Sequence, residues 1–499
     1  MNSLFRTKSI KSIIADAEKK SLKKTLGAFD LLLLGIGSTI GTGIFVLTGT
    51  AAANFAGPGV ALSFAIAGLV CMFAGLAYTE LASMVPVSGS AYTYSYAILG
   101  EFIAWIVACG LALEYTVASS TVAAGWSGYL TKILQQGGIN LPASITSTPS
   151  QGGIINLPAF CIAIFIGLLL VRGTKESVVV NRILVSLKLG VIFIFMIVAV
   201  PHIKIENYAE FMPFGFKGVL MGSSAIFFAY LGFDAVATTA EECKNPKRDL
   251  PIGIIGSLLA CTIIYIIVSL ALTGISHYST LNNSAPMANA LLANGSNIGS
   301  ALVSIGAVAG MLTVLLVMMY GQSRILFVMS RDKLIPSVFS KFHKKFETPY
   351  ASCIFVTIAV ALISGFTPIR NMGDMSSLGT LFAFLIVSIG VMVLRIKNPN
   401  QERTFRCPAV YLVAPLAVIG CGYLIYQLLL ENYKPFLIWY AIAIAIYFAY
   451  GFRKSNLAKN NISKDRSTDN LQNYNSKNSN NKKFKNKSNA NLAKSKHQS

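Results

Sequence analysis

Apolar runs of about 20 residues, separated by short polar turns, recur along almost the whole chain. They lie near 29–53, 58–84, 101–131, 157–171, 181–201 and 218–241, then near 251–275, 299–328, 351–367, 376–395, 409–430 and 434–452. As helices, most of them match a hydrocarbon core of roughly 30 Å. The pattern predicts an all-α polytopic membrane protein with about twelve transmembrane helices. No loop between the runs is long enough for a soluble domain, although the connections around 132–156 and 276–298 have room for a short surface helix. Residues 1–28 read as a basic segment whose stretch 9–24, "SIKSIIADAEKKSLKK", is suited to lie along a membrane surface. Residues 29–453 read as the membrane domain. Residues 454–499, rich in Lys, Asn and Ser, have too little apolar surface to fold and read as a disordered tail.

Charge changes this picture by giving it a direction. The amino-terminal segment carries Arg6, Lys8, Lys11, Lys19, Lys20, Lys23 and Lys24. Alternate connections carry Arg172, Lys175 and Arg182, then Lys244, Lys247 and Arg248, then Arg331, Lys333, Lys341, Lys344 and Lys345, then Arg395, Lys397, Arg403 and Arg406. Their counterparts hold only Lys132, Lys204, Lys217, Arg370 and Lys434. Lysine and arginine near span ends stay on the cytoplasmic side. Both termini are therefore expected in the cytoplasm, which requires an even number of spans.

Charged residues make up 12% of the 499, against roughly 25% in soluble domains. The net charge of +21 is spread over one side of the membrane and the tail, so nucleic-acid binding is not expected. The basic start runs into an apolar segment too long for a cleavable signal peptide. The eight cysteines have no metal-ligand spacing and are expected as reduced packing thiols. No nucleotide-binding loop, metal cluster or nucleophile with a base is found, so the chain is not expected to be an enzyme or to hold a metal or cofactor.

The first span, "LLLLGIGSTIGTGIFVLTG" (31–49), is interrupted by glycine and hydroxyl residues. Gly37 and Gly41 have the spacing of a close helix contact, and the same residues suit a broken helix. Five spans later, "SSAIFFAYLGFDAVATTAEE" (223–242) places Gly232 and Asp234 in a second apolar run. Paired interruptions at matching places in two halves point to an inverted-repeat transporter with its substrate where the breaks meet. Unwound backbone at that depth must line a cavity or bind something polar. The N–H groups of Gly41, Thr42 and Gly43, at the start of a half-helix, suit a carboxylate. The carbonyls of Thr39 and Ile40, with those of Phe228, Ala229 and Leu231, suit an ammonium. A ligand carrying both charges on one carbon is an α-amino acid.

Three charged residues lie inside predicted spans: Glu114, Lys188 and Asp234. Such residues are rare in membranes and usually functional. Lys188, six residues past Arg182, has two readings, a side chain reaching back to the cytoplasmic interface or a buried group that exchanges a proton. Glu114 and Asp234 are either functional acids or structural hydrogen-bonding groups. Glu80, Glu241 and Glu242 are expected at the interface.

With these motifs, "PVSGSAYTYSYAILGE" and "GQSRILFVMSRDKLIP" complete a set that resembles the amino acid, polyamine and organocation (APC) superfamily, specifically its cationic amino acid transporter family. The resemblance spans roughly residues 25–453. It implies a LeuT-like fold of two inverted five-helix repeats, about 29–201 and 218–395, plus two helices in 409–452. It also implies the substrate contacts already named, with Phe228 as an aromatic gate. Lys188 matches the fifth-helix lysine that replaces a sodium ion in proton-coupled bacterial members. Glu114 and Asp234 match acids that support coupling and the substrate cavity there.

The expected function is secondary active, proton-coupled uptake of α-amino acids by alternating access. The expected partners are the amino acid, protons and membrane lipids. The expected location is the cytoplasmic membrane, multi-pass, which is the inner membrane in a Gram-negative source. A proton-independent amino acid exchanger and a transporter-like sensor are the alternative readings.

Overall fold

In the computed structural model, residues 6–8, 13, 24–85, 87, 90–173, 178–346 and 348–457 are described. Nearly all of the tail, most of the stretch 9–24 and Lys175 lie outside the described residues. Helix follows the apolar pattern closely. The order is α1 (Ala28–Thr39), α2 (Val60–Met84), α3 (Ser90–Ile98), α4 (Glu101–Gln136), α5 (Leu157–Arg172) and α6 (Val178–Ala199). After them come α7 (Gly215–Ile226), α8 (Pro246–Ile275), α9 (Asn297–Arg331), α10 (Tyr350–Phe366), α11 (Ile369–Lys397) and α12 (Val410–Ile446). The chain is an all-α polytopic membrane protein. Among the described residues, eight helical stretches are long and apolar enough to cross a membrane, and three shorter apolar helices accompany them.

Two of those long stretches contain reversals. Gly57, at φ +58°, turns the chain between the first two spans, a backbone conformation that glycine adopts without steric cost. In α12 the helix is interrupted at Asn432, three residues before Pro435. The two ends of this hairpin return to one face: the Cys407 N–H donates to Glu80 Oε2 at 2.8 Å, and the Tyr447 hydroxyl donates to Glu101 at 3.2 Å. With these reversals the helices account for the about twelve crossings expected from the sequence.

The same face gathers the basic connections. Arg182, in the second turn of α6, pairs with Asp30 in the first turn of α1 (Nε to Oδ1, 2.8 Å). Asp332, just past α9, accepts from Tyr92 on α3 at 2.7 Å and from Lys8 at 3.4 Å. Glu80 departs from expectation. It is fully buried, gripped in two-pronged fashion by Arg395 at 2.8 and 2.7 Å and by Arg403 at 3.1 Å. A buried carboxylate is tolerable when its lone pairs are filled this completely. Arg403, also buried, bonds four carbonyls of the 394–401 segment, so this knot shapes the connection into α12.

Inside the bundle, α4 packs against α9 and α11, while α8 packs against α1 and α2. α4 and α9 carry apolar residues on every side, α4 largely enclosed by protein and α9 with an exposed side at Ile298, Leu302 and Ile305. Seven of the eight cysteines are buried and all are free thiols.

Candidate binding site between the two broken helices

The glycines of the first span do two different jobs. A side chain on Gly35 would run into Ser257, so this glycine brings α1 against α8. Beyond it α1 ends: Ile40 is extended (φ −73°, ψ 104°), and the helix resumes from Thr42 with a π-helical turn, Gly43–Leu47. A second π-turn follows at Ala52–Ala56. In the other half, α7 gives way to a 3-10 turn at Phe227–Tyr230, an extended Leu231 and Gly232 at φ +104°. A side chain on Gly232 would also press on the Ser38 carbonyl of the first break. A Cβ on Gly43 would overlap the Ala229 backbone, so the two breaks touch directly.

A helix end inside the bundle leaves carbonyls that need donors. Here neighbouring helices supply them. Lys188, fully buried on α6, donates from Nζ to Gly37 O at 2.5 Å and to Ile40 O at 3.3 Å. Its ammonium lies against the negative end of α1, where a cation is favoured. Gly310 on α9 makes room for the lysine stem, since a Cβ there would stand 3.0 Å from Lys188 Cγ. The Tyr265 hydroxyl on α8 lies 3.1 Å from Thr39 O and 2.8 Å from Ala229 O, bridging both breaks. Ser38 Oγ lies 2.8 Å from Gly232 O, a second bridge.

Between the breaks lies a narrow cavity of about 10 Å³. Thr39, Gly41, Thr42, Gly43, Phe228 and Leu231 line it, together with Ser38. Its remaining wall is apolar: Ala118 and Val122 from α4, and Val314 and Met318 from α9. That is room for about one water molecule, so the two breaks stand closed on each other in this conformation. Ile40 and Ala229 are not among its lining residues; their carbonyls meet Lys188 and Tyr265 instead. The first N–H groups of the resumed helix, at Thr42 and Gly43, have no acceptor within that helix. One end of the cavity is therefore rich in donors and the opposite wall is apolar.

Glu114 and Asp234 do not line the cavity. Both are buried; Asp234 Oδ2 accepts from the Tyr115 hydroxyl at 3.0 Å, and Glu114 lies close enough to be affected by the Asp234 charge. Neither Glu114 oxygen has a hydrogen-bond partner among the described residues. Among these residues no group of His, Cys, Asp and Glu could hold a metal ion. Tyr265, Ser38 and the apolar wall were not singled out from sequence. Tyr265 carries the signal of a lone phenol in "CTIIYIIVSL", but nothing in that run says which way it faces.

Tyr265→Phe removes one hydroxyl from between the breaks. A net hydrogen bond is worth about 1 kcal/mol, so the affinity of the cavity for its ligand is expected to fall about fivefold, read by thermal shift over a ligand titration.

Residues 26–450 match the family described as Amino acid permease. The chain is 48% identical over 461 residues to the branched-chain amino acid permease BcaP of Bacillus subtilis (strain 168), covering 91% of this chain and 99% of that protein. It is 43% identical over 461 residues to the methylthioribose transporter of the same organism, covering 92% and 100%. It is also 39% identical over 417 residues to cationic amino acid transporter 9, chloroplastic, of Arabidopsis thaliana, covering 80% and 72%.

Proposed function

Because the chain belongs to the amino acid permease family of the APC superfamily, we propose that it imports small neutral α-amino acids with branched apolar side chains, coupled to protons through Lys188. The observation that carries this reading is the Lys188 ammonium, which caps the broken end of α1 through Gly37 O and Ile40 O. The apolar wall of Ala118, Val122, Val314 and Met318 supports a branched side chain, in keeping with the branched-chain amino acids named for the Bacillus permease.

In this reading the substrate carboxylate meets the N–H groups at Gly41, Thr42 and Gly43. Its ammonium meets carbonyls at Thr39, Phe228 and Leu231, while those of Ile40 and Ala229 are taken by Lys188 and Tyr265, and Phe228 closes over it. A protonated Lys188 holds the inner half of the first span; when its proton leaves, two donor contacts to α1 weaken and the basic face opens. Glu114 and Asp234 support the cavity from the neighbouring buried region. The basic face is cytoplasmic, following the distribution of lysine and arginine. The two halves, 29–201 and 218–395, act as LeuT-like inverted repeats that alternate access.

The test is uptake of labelled amino acids into proteoliposomes with and without an inward proton gradient. Valine, leucine and isoleucine are expected to accumulate only with the gradient. Counterflow of internal for external substrate that ignores the gradient would assign exchange instead.

A further inference from the structure

At the α9–α10 corner of the basic face, an exposed arginine sits at an unusual depth. α9 has 35 residues and is about 52 Å long, against a hydrocarbon core of roughly 30 Å. Centred in the bilayer, it extends about 11 Å beyond the core at each end, or about seven residues. Arg324, seven residues before the helix ends at Arg331, is then level with the boundary between acyl chains and headgroups. It is exposed, lies 4.8 Å above the Tyr320 ring and donates to the Tyr320 hydroxyl at 2.5 Å. Tyr320, itself 40% exposed, holds the guanidinium outward on the lipid-facing side. Arg331 lies two turns further along the same side and is exposed too.

The connection that follows has matching character. Val338 and Phe342 are exposed, and Lys341, Lys344 and Lys345 around them are exposed as well. The Phe342 ring meets Phe327 of α9 edge-on at 5.1 Å, so the connection folds back against the helix that carries Arg324. Residues 331–345 contain one acid, Asp332, and it is buried and bonded to Tyr92 and Lys8. Apolar side chains among lysines, beside an arginine at headgroup depth, match an acyl boundary below and a phosphate above. A guanidinium fork suits a phosphodiester, which it binds through two parallel N–H bonds.

We propose that this corner, formed by Arg324, Tyr320, Phe342, Lys341 and Lys344, is a binding site for an anionic phospholipid of the cytoplasmic leaflet. Arg324 holds the phosphodiester, Phe342 and Val338 enter the acyl region, and the lysines add their positive field around the same anionic headgroup. The inference rests only on the orientation given above, not on the transport reaction.

Native mass spectrometry of the delipidated full-length protein, titrated with phosphatidylglycerol or phosphatidylcholine, tests it without measuring transport. Wild type is expected to retain phosphatidylglycerol about tenfold more strongly. The combined variant Arg324→Leu, Lys341→Gln, Lys344→Gln is expected to lose that preference. Removing the same kind of charge from the tail, in Lys482→Gln, Lys483→Gln, Lys485→Gln, is expected to leave it intact. Equal retention of both lipids by wild type, an unchanged preference in the corner variant, or an equal loss in the tail variant overturns the site. Displacement of the lipid by millimolar inorganic phosphate would also overturn it, by assigning the contact to a free anion. A substrate-induced thermal shift checks that the corner variant is folded, and the single variant Phe342→Asn gives an independent reading if it is not. Gradient-independent uptake together with intact lipid preference would remove the coupling role of Lys188 and leave this site standing.

Discussion

Lys188→Ala is expected to abolish proton-driven accumulation of substrate in proteoliposomes, lowering it to the level of protein-free vesicles. The loss has two parts. The variant removes the group proposed to carry the proton, and it leaves the carbonyls of Gly37 and Ile40 without the donor that caps α1. A buried carbonyl without a partner costs roughly 1–3 kcal/mol. Binding is therefore expected to weaken as well, though less than transport, because Tyr265 still meets Thr39 and Ala229. Counterflow at equal pH separates the two parts. If it survives in the variant while gradient-driven uptake is gone, the lysine couples; if gradient-driven uptake survives, the lysine is structural.

The second large effect is expected from Gly43→Ala, a change of one methyl group. The first atom of any side chain at this position overlaps the Ala229 backbone, and backbone cannot turn aside as a flexible side chain can. Overpacking of this kind typically costs 1–3 kcal/mol, and here it forces apart the two breaks that form the cavity. Substrate binding, followed by thermal shift over a ligand titration, is expected to fall by about fivefold to a hundredfold while the protein still folds. Gly35→Ala is the comparison. It presses on Ser257 Oγ and Cβ, so α1 and α8 must part, but that contact lies away from the cavity and the loss is expected in stability more than in affinity.

That comparison marks where the sequence was legible and where it was not. Two interruptions in apolar runs announced two broken helices, because glycine and an acid are out of place in a continuous span. The same reading did not separate the glycine at 35, which serves packing, from the one at 43, which serves the breaks. The difference lies in the partner, Ser257 or Ala229, and partners are set by tertiary structure. The reversal at Asn432 was readable from the polar residues before Pro435. Helix α3 was not, since residues 85–100 look like a loop until Tyr92 and Tyr96 are seen meeting Asp332 and Glu101. Ala118, Val122, Val314 and Met318 lie on helices that are apolar all round, where composition gives no clue to the side facing the cavity. Glu80 looked interfacial because two arginines distant in sequence had to be brought to it.

The pairing of Arg182 with Asp30 bears on the rate of the cycle as well as on the resting state. α6 holds α1 at two levels, once through Lys188 deep in the bundle and once through Arg182 at its rim. Loss of the deep contact alone leaves the rim contact closed, so in the proposed cycle opening toward the basic face is expected to need a second event that no proton supplies. Half of the Arg182 side chain is exposed, which leaves that contact open to screening by dissolved ions. Salt on the basic side is therefore expected to speed the proposed opening step without altering the affinity of the cavity for its ligand.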